Sequence, residues 1–163
     1  MLVTEAGVAV GAVSVSNFVE NIAAQEQPKR STVGDVMSDA FLVCRDKTTI
    51  LSAARTITQA GWRSVIVVDS RGRPLGVVSG IDLLKLVGKA LDENLLVSDL
   101  MNRDLVTVDI NAGLQEAANL MIHNHRHRLI VVDTHDPESF PLGMISSFDI
   151  VAEMARPASV WQL

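Results

Sequence analysis

Apolar residues along the chain fall into short runs whose spacing predicts alternating strands and helices. Two runs, at residues 65–68 and 129–132, are apolar at every position, which is typical of strands covered on both faces. Two other segments carry apolar residues at the i, i+3, i+4, i+7 spacing of a helix: Ile50, Ala53, Ala54 and Ile57 in one, Leu114, Ala117, Ala118 and Met121 in the other. With the strands and final helices around them, the expected order is β-α-β-β-α, twice.

The chain contains an internal repeat with a nearly constant offset. Asp-Val-Met at residues 35–37 recurs as Asp-Leu-Met 64 positions later, and the strand run at 65–69 recurs at the same offset. Pro-Leu-Gly at 74–76 and Ser-x-x-Asp at 79–82 recur 67 positions later. Three extra residues therefore lie in the second copy's loop, at 134–140, as a surface hairpin tolerates.

The two copies define the expected fold and domains. Each copy of roughly 60 residues buries too little apolar surface to be stable alone. We therefore expect an α/β fold of the α+β type, in which two β-α-β-β-α repeats pack sheet to sheet about a pseudo-twofold axis. The first repeat is assigned to residues 31–95, the second to 96–157 and a C-terminal tail to 158–163.

Residues 1–30 form an N-terminal extension outside both repeats, and two interpretations of it stay open. It is a partly disordered segment, or it is partly helical. In the second case Val8, Val10 and Ala12 suggest a strand, and Phe18, Val19, Ile22 and Ala23 suggest a short helix. Such apolar positions would add to a homodimer contact or dock on a partner protein.

Composition and charge exclude several classes of function. The 163 residues carry 14 Lys and Arg against 19 Asp and Glu, a net charge of −5, so no global positive field gathers nucleic acid or an anionic membrane. The uncharged stretch at residues 6–19 is shorter than the roughly 20 apolar residues of a spanning helix. The single cysteine, Cys44, suits a reducing compartment, and no basic residue precedes Lys29 as a secretory signal requires. We expect a cytoplasmic protein without a membrane or nucleic-acid partner.

The repeated motifs resemble those of a known family. Asp-x-Met openings, the Arg-Leu-Ile-Val-Val-Asp run and Gly-x-x-Ser-x-x-Asp, ending at Asp82 and Asp149, occur in order. The openings and the Gly-x-x-Ser-x-x-Asp motif occur twice. In these features residues 33–156 resemble a tandem pair of CBS domains, also called a Bateman module. The family often has proline where this chain has Ile66 and Ile130, a departure that leaves the expected fold unchanged.

The resemblance implies a regulatory module that binds an adenosine-containing ligand in the cleft between the repeats. AMP, ADP and ATP rank ahead of S-adenosylmethionine and NAD, and none is required as a cofactor. The module would regulate an unidentified effector protein by conformational change. A homodimer is also implied, and the apolar helix segments at 83–87 and 150–154 agree with it.

The resemblance also gives roles to single residues. Asp149 and Asp82 would accept hydrogen bonds from the ribose hydroxyls, while Ser146 and Ser79 would contact the ribose or the first phosphate. The chemistry agrees, since the two oxygens of a carboxylate can accept from both hydroxyls of a vicinal diol. The candidates in the second repeat are Asp149, Ser146, Arg128, His127, Thr107, Val106, Met101 and Ile130. The candidates in the first repeat are Asp82, Ser79, Ser64, Arg63, Val43 and Ile66.

Basic residues are distributed unequally between the repeats. Before its strand the second repeat has four consecutive phosphate partners at residues 125–128, His-Arg-His-Arg, whereas the first has Gly-Trp-Arg-Ser at 61–64. The second cleft is therefore the expected place for a polyphosphate tail.

Other interpretations of these motifs stay open. Ser-x-x-Asp is also an ordinary helix-capping arrangement, and capping and binding can coexist. Histidines alternate at His123, His125 and His127, but only the first and last share a helix face, so no metal site is expected. Without a nucleophile and base pair or paired acids, no catalysis is expected. The competing function is a ligand-free scaffold for protein interaction or dimerisation.

Overall fold

The computed structural model of the protein describes residues 2–5, 8–24, 32–88, 92–136, 138 and 140–154. Over these residues the chain forms one two-stranded and two three-stranded sheets, with helices around them. The expected β-α-β-β-α order is present in both repeats. The predicted C-terminal tail at 158–163 lies outside the described residues.

The N-terminal extension is an antiparallel hairpin followed by a helix. The hairpin consists of β1 (Leu2–Glu5) and β2 (Val8–Ala12), and the helix is α1 (Val15–Ala24). Val19 of α1 is buried in the core of the second repeat, with which the helix packs. The strand and helix of the second interpretation are thus present, and residues 25–31 lie outside the described residues.

The first repeat contains a mixed sheet in the order β3-β4-β5. Its elements are α2 (Val33–Val36), β3 (Val43–Arg45), α3 (Ile50–Ala60), β4 (Ser64–Val68), β5 (Pro74–Ser79) and α4 (Gly80–Leu84). Strand β4 runs parallel to β3 and antiparallel to β5. Helix α3 begins at the Thr49 side chain, which accepts a hydrogen bond from the Ser52 amide, and it ends at Gly61 in the left-handed conformation.

The second repeat has the same plan, with a sheet in the order β6-β7-β8. Its elements are α5 (Val97–Leu100), β6 (Thr107–Asp109), α6 (Leu114–His123), β7 (Arg128–Val132), β8 (Gly143–Ser146) and α7 (Ser147–Met154). Strand β7 again runs parallel to its first neighbour and antiparallel to its second. No helix among the described residues has both the length and the apolar character needed to cross a membrane.

The two sheets pack against each other, as the fully apolar strands predict. Ile66 and Val68 of β4 and Ile130 and Val132 of β7 form one buried cluster between the repeats. Two further clusters lie between each sheet and its own helices. Each central strand is therefore covered on both faces, which explains why its apolar residues do not alternate with polar ones.

The repeats exchange their opening segments, which are the short helices α2 and α5 with the residues directly after them: each packs against the other repeat. Val33 of α2 belongs to the core of the second repeat, and its amide donates to the Ala112 carbonyl. Val97 of α5 belongs to the core of the first repeat, and its amide donates to the Thr48 carbonyl. The two repeats are thus joined by backbone hydrogen bonds as well as by the contact between their sheets.

Candidate functional site

A cavity of about 920 Å³ opens between the two repeats. Its volume lies near the upper end of the range of roughly 300–1,000 Å³ that is usual for small-molecule sites. The polar lining residues are Arg63, Ser64, Ser79, Asp82, Asn102, Asp104, Arg126, His127 and Arg128. The apolar walls are formed by Ile57, Trp62, Val77, Ile81, Leu84, Leu105, Val106, Leu129, Ile130 and Met144.

Asp82 is held in one orientation at the start of α4. Its Oδ2 accepts hydrogen bonds from the Ser79 amide at 3.0 Å and from the Ser79 hydroxyl at 2.6 Å. Its Oδ1 accepts a hydrogen bond from Lys85 Nζ at 2.8 Å. Partial burial raises the pKa of Asp82, but the hydrogen bonds from Lys85 and Ser79 and the charge of Lys85 outweigh it, so the pKa lies below its ordinary value. The cavity thus contains an ionised carboxylate with remaining acceptor capacity on Oδ1.

Positive charge exceeds negative charge along the cavity wall. Three arginines, Arg63, Arg126 and Arg128, face two carboxylates, Asp82 and Asp104. Arg126 forms an ion pair with Asp104, while its Nε is buried without a hydrogen-bond partner among the described residues. Arg128 Nη1 lies 3.5 Å from the Ser64 hydroxyl oxygen. Guanidinium groups in this number are suited to an anionic group such as a phosphate.

Asp149 at the start of α7 has the same capping geometry as Asp82. Its Oδ2 accepts from the Ser146 amide at 2.7 Å and from the Ser146 hydroxyl at 2.6 Å. The position equivalent to Lys85 is Ala152, so the lysine that pairs with Asp82 has no counterpart at Asp149. The capping interpretation of Ser-x-x-Asp is therefore confirmed in both repeats, and capping leaves acceptor capacity on each carboxylate.

Of the candidates from the sequence, the cavity brings together eight: Asp82, Ser79, Ser64, Arg63, Val106, Ile130, His127 and Arg128. The other six are described but do not line it: Asp149, Ser146, Thr107, Met101, Val43 and Ile66. Met101 is buried in the core of the first repeat, and Ile66 is buried between the sheets. Thr107 and Val43 lie on the first strands of their sheets, paired with Ile130 and Ile66.

The cavity groups residues differently from the sequence expectation. Asp82 of the first repeat lies in one cavity with Val106, His127 and Arg128, all of which were assigned to the second site. The exchange of opening segments accounts for Val106, because Asn102 pairs with Val77 of β5 and brings the residues that follow it to the first repeat's sheet.

Asp104 and Leu105 also line the cavity, although neither was among the predicted site residues. Both residues follow the second Asp-x-Met opening. The repeat would predict their place in the cavity only on the assumption that each opening packs against the sheet of the other repeat. Trp62, which was not among the predicted site residues, also lines the cavity. Its indole therefore provides an aromatic surface beside Arg63.

The histidines do not form a metal site in the part of the chain that the structure describes. No group of three or more His, Cys, Asp or Glu side chains there is placed to hold a metal ion. His123 Nδ1 lies 2.8 Å from the Asn119 carbonyl oxygen, within its own helix, whereas His127 lines the cavity.

Comparison with known proteins agrees with this architecture. The family model described as CBS domain matches the chain at residues 33–89 and 97–156. An uncharacterized protein of Methanopyrus kandleri, MK0525, is 28% identical over 123 residues, which are 74% of this chain. This chain spans 61% of that relative's length.

Two solved structures extend the comparison. The structure of CBSX2 in complex with AMP is 28% identical and superimposes with a TM-score of 0.61, covering 74% of this chain and 93% of that one. The CBS domain pair of protein MJ0100, in complex with 5′-methylthioadenosine and S-adenosyl-L-methionine, gives a TM-score of 0.63 at 20% identity. It covers 75% of this chain and 94% of that one. At that identity the second likeness concerns the fold alone.

Proposed function

Because the chain belongs to the CBS domain family, we propose that it binds an adenosine-containing ligand, AMP, ADP or ATP, in the cleft that contains Asp82. The observation that carries the proposal is one cavity of about 920 Å³ in which an oriented carboxylate lies with three arginines and apolar walls. The AMP complex of CBSX2, a relative at 28% identity, supports the same ligand class. S-adenosylmethionine ranks behind the nucleotides because it has no phosphate for the arginines to bind, and NAD is placed behind them as well.

Each part of such a ligand has a counterpart in the cavity. The ribose hydroxyls would donate to Asp82, whose Oδ2 is held by Ser79 and whose Oδ1 retains acceptor capacity. The phosphate would be bound by Arg126 and Arg128 through charge-assisted hydrogen bonds. The adenine would lie between apolar walls that include Leu105 and Val106.

The proposed output is a change in the population of two arrangements of the repeats. A ligand that contacts Asp82 in the first repeat and Arg128 in the second binds best where these groups are correctly spaced, and it increases the population of that arrangement. Helix α4 connects this event to the surface, since it carries both Asp82 and the exposed Leu84. We propose a cytoplasmic regulatory module without catalysis of its own, whose state is detected by an effector protein.

We further propose that a second copy of the chain covers the exposed side of α4. Ile81, Leu84 and Val87 are 73%, 66% and 75% exposed, an apolar group on one short segment of the first repeat. The same patch is the specific observation behind the second candidate function, a dimerisation scaffold with an empty cleft. Sedimentation tests the contact: Val87→Asp, which changes no residue of the cavity lining, is expected to shift a dimer to monomer, whereas Glu116→Gln at an exposed position of α6 is not. A monomeric wild type contradicts the homodimer.

The ligand proposal is tested by titration calorimetry and thermal melting with AMP, ADP, ATP, S-adenosylmethionine and NAD. A nucleotide that binds only the native state raises the melting temperature. Asp82→Asn is expected to weaken its affinity about 10- to 100-fold, since charge-assisted hydrogen bonds contribute roughly 1.5–3 kcal/mol each. The matched variant Asp149→Asn shows whether the other carboxylate contributes as well. Folded wild type that none of the five compounds stabilises leaves the scaffold as the function.

A further inference from the structure

The second repeat contains a small recess at the place where the first repeat opens into the large cavity. Its volume is about 230 Å³. Four of its lining residues are Met121, Arg126, His127 and Ser147. Through the repeat offsets of 64 and 67 positions, these are the counterparts of Ile57, Trp62, Arg63 and Gly80, which line the large cavity. The recess is therefore the second repeat's version of one part of the large cavity.

The recess is small because α1 lies over it. The remaining walls include Ser16, Val19 and Glu20 of α1. Before the second copy, the described residues 85–88 and 92–96 contain no helix. Val19 is 3% exposed and packs in the same core cluster as Met121 and Ile150. The N-terminal helix thus fills, in the second repeat, space that is open in the first.

Burial at equivalent positions agrees with this difference. Gly80 is exposed, whereas its counterpart Ser147 is only 9% exposed. Leu84 is 66% exposed, whereas its counterpart Val151 is half-buried. Since the two repeats otherwise share one plan, α1 is the element that accounts for the unequal burial.

We propose that α1 closes the second cleft, so that each chain binds a single nucleotide, in the Asp82 cleft. The number and place of the ligands rest on the proposed function, whereas the closure by α1 does not. Open volume and lining both favour the Asp82 cleft: the recess under α1 has about 230 Å³, below the range of roughly 300–1,000 Å³ that small-molecule sites occupy, and neither Asp149 nor Ser146 lines it. The cavity with Asp82 has about 920 Å³, within that range. The sequence assigned more basic residues to the second cleft, but in the structure Arg126, His127 and Arg128 line the Asp82 cavity.

The closure is tested first without any ligand, by thiol labelling of cysteines at the two equivalent positions. Gly80→Cys and Ser147→Cys are made in a Cys44→Ala background of the full chain and treated with a maleimide. Gly80 has open space where a Cβ would be, so the first variant introduces no clash. The cysteine at 147 is expected to react at least about tenfold more slowly than the cysteine at 80, because labelling must wait for α1 to open. Equal rates overturn the proposal.

Weakening the contact of α1 is expected to abolish the protection. Val19→Asp should bring the labelling rate at position 147 up to that at position 80. Val19→Ala, which removes less apolar surface, should give an intermediate rate and serves if the first variant fails to fold. Phe18→Ser changes an exposed side chain of the same helix and should leave the protection unchanged. Protection that persists in both Val19 variants overturns the role of α1.

Calorimetry with AMP then counts the sites. Wild type is expected to bind one AMP per chain, and Asp82→Asn is expected to weaken that binding about 10- to 100-fold. In Val19→Asp a second equivalent of AMP is expected, because the second cleft becomes accessible. Two equivalents on wild type overturn the single-site proposal even if labelling shows protection. Protection at position 147 with no AMP bound at all refutes the nucleotide ligand while supporting the closure, so the two failures are distinguishable.

Discussion

Lys85 donates a hydrogen bond from its ammonium group to Oδ1 of Asp82 at 2.8 Å, on the carboxylate oxygen that Ser79 leaves available. The counterpart of Lys85 in the second repeat is Ala152, so this interaction distinguishes the first cleft from the second. The lysine acts on Asp82 in two ways. It competes with any other donor for Oδ1, and it favours the ionised form of the carboxylate.

Lys85→Met is therefore expected to change AMP binding in a pH-dependent manner. Near pH 7.5 Asp82 stays ionised without the lysine, since an ordinary aspartate has a pKa of about 3.9. The affinity should then rise about 3- to 10-fold, because Oδ1 loses a competing donor with a net contribution of roughly 0.5–1.5 kcal/mol. On acidification below pH 5, Lys85→Met should lose AMP binding at a higher pH than wild type does, because the pKa of Asp82 rises toward its ordinary value without the lysine.

The measurement is the AMP dissociation constant between pH 4 and pH 8. Lys47→Met is the matched control, since it removes the same charge from an exposed position on the first repeat. An affinity and an acid limit identical to those of wild type would show that Lys85 does not influence the ligand site.

Asp104→Asn is expected to strengthen the binding of ATP more than that of AMP. Asp104 lines the cavity and forms an ion pair with Arg126, so it opposes phosphate through like charge and occupies one of the arginines. Removing one largely exposed charge of this kind contributes roughly 0.5–1 kcal/mol to the binding free energy, so the affinity for ATP should rise about two- to fivefold. Glu116→Gln makes the same change in net charge on the exposed side of α6 and should have no effect.

Salt separates this explanation from a change in shape. The gain in Asp104→Asn should shrink as ionic strength rises, because exposed charges are screened beyond a Debye length of about 8 Å at 0.15 M salt. ATP affinity that falls in this variant would mean that Asp104 supports the site by positioning Arg126.

Asp109 should contribute to acid-sensitive folding stability. Hydrogen bonds from the Thr134 hydroxyl and amide and from the Asn111 amide hold its pKa well below the ordinary value. A carboxylate whose folded pKa is depressed stabilises the fold above its unfolded pKa of about 3.9, and this stability is lost as the pH falls through the folded pKa. The unfolded chain binds more protons in that window, so acidification favours unfolding.

Calorimetric melting between pH 7 and pH 3 checks this expectation. Wild type should lose melting temperature steeply below pH 4, whereas Asp109→Asn should begin lower at pH 7 and lose less on acidification. Asp39→Asn, at an exposed position with the same change in charge, should follow the wild-type curve. Parallel curves for wild type and Asp109→Asn would show that these hydrogen bonds do not survive in solution.

The elements could be predicted from the sequence because each is determined locally. Strand β4 begins at Ser64 and ends at Val68, within a residue of its apolar run, and Gly61 ends α3 in the left-handed conformation that glycine adopts readily. Local signals were insufficient at two helices. Asn111 is of a residue type that often caps helices, but its amide donates to Asp109 in a turn, and Gly113 is the N-cap of α6. Val87 and Leu91 continue the helical spacing of Ile81 and Leu84, but α4 ends at Leu84.

The grouping of the site could not be predicted in the same way, because it depends on which sheet each segment joins. Repeat offsets identify Asp82 and Asp149 as equivalents, yet they contain no information about where the residues after Met101 cross. Only the pairing of Asn102 with Val77 brings Asp104 into the cavity with Asp82. The packing of α1 on the second repeat could not be predicted either, since the first 24 residues have no repeated counterpart in the sequence with which they could be compared.

Gly76→Ala tests the crossing itself, and it is expected to destabilise the protein by about 1–3 kcal/mol, as overpacking does. A Cβ at Gly76 would lie 2.6 Å from the Met101 sulfur and 2.8 Å from the Asn102 carbonyl oxygen. The methionine side chain can move, but that carbonyl accepts a hydrogen bond from the Val77 amide and is fixed by it. The opening of the second repeat must therefore shift away from β5.

Urea unfolding measures the loss of stability in Gly76→Ala, and two further variants serve as comparisons. Gly143→Ala is the pseudo-symmetric test, because a Cβ there would lie 2.7 Å from both the Met37 sulfur and the Ser38 carbonyl oxygen, and it should cost a similar free energy of unfolding. Gly80→Ala has open space around its Cβ and should change the free energy by less than about 0.5 kcal/mol. Because Asn102 leads directly to Asp104 and Leu105, a shifted crossing should also weaken AMP binding in Gly76→Ala. If Gly76→Ala keeps the full stability and the full AMP affinity of wild type, the segment with Met101 and Asn102 does not lie as close to β5 as the structure places it.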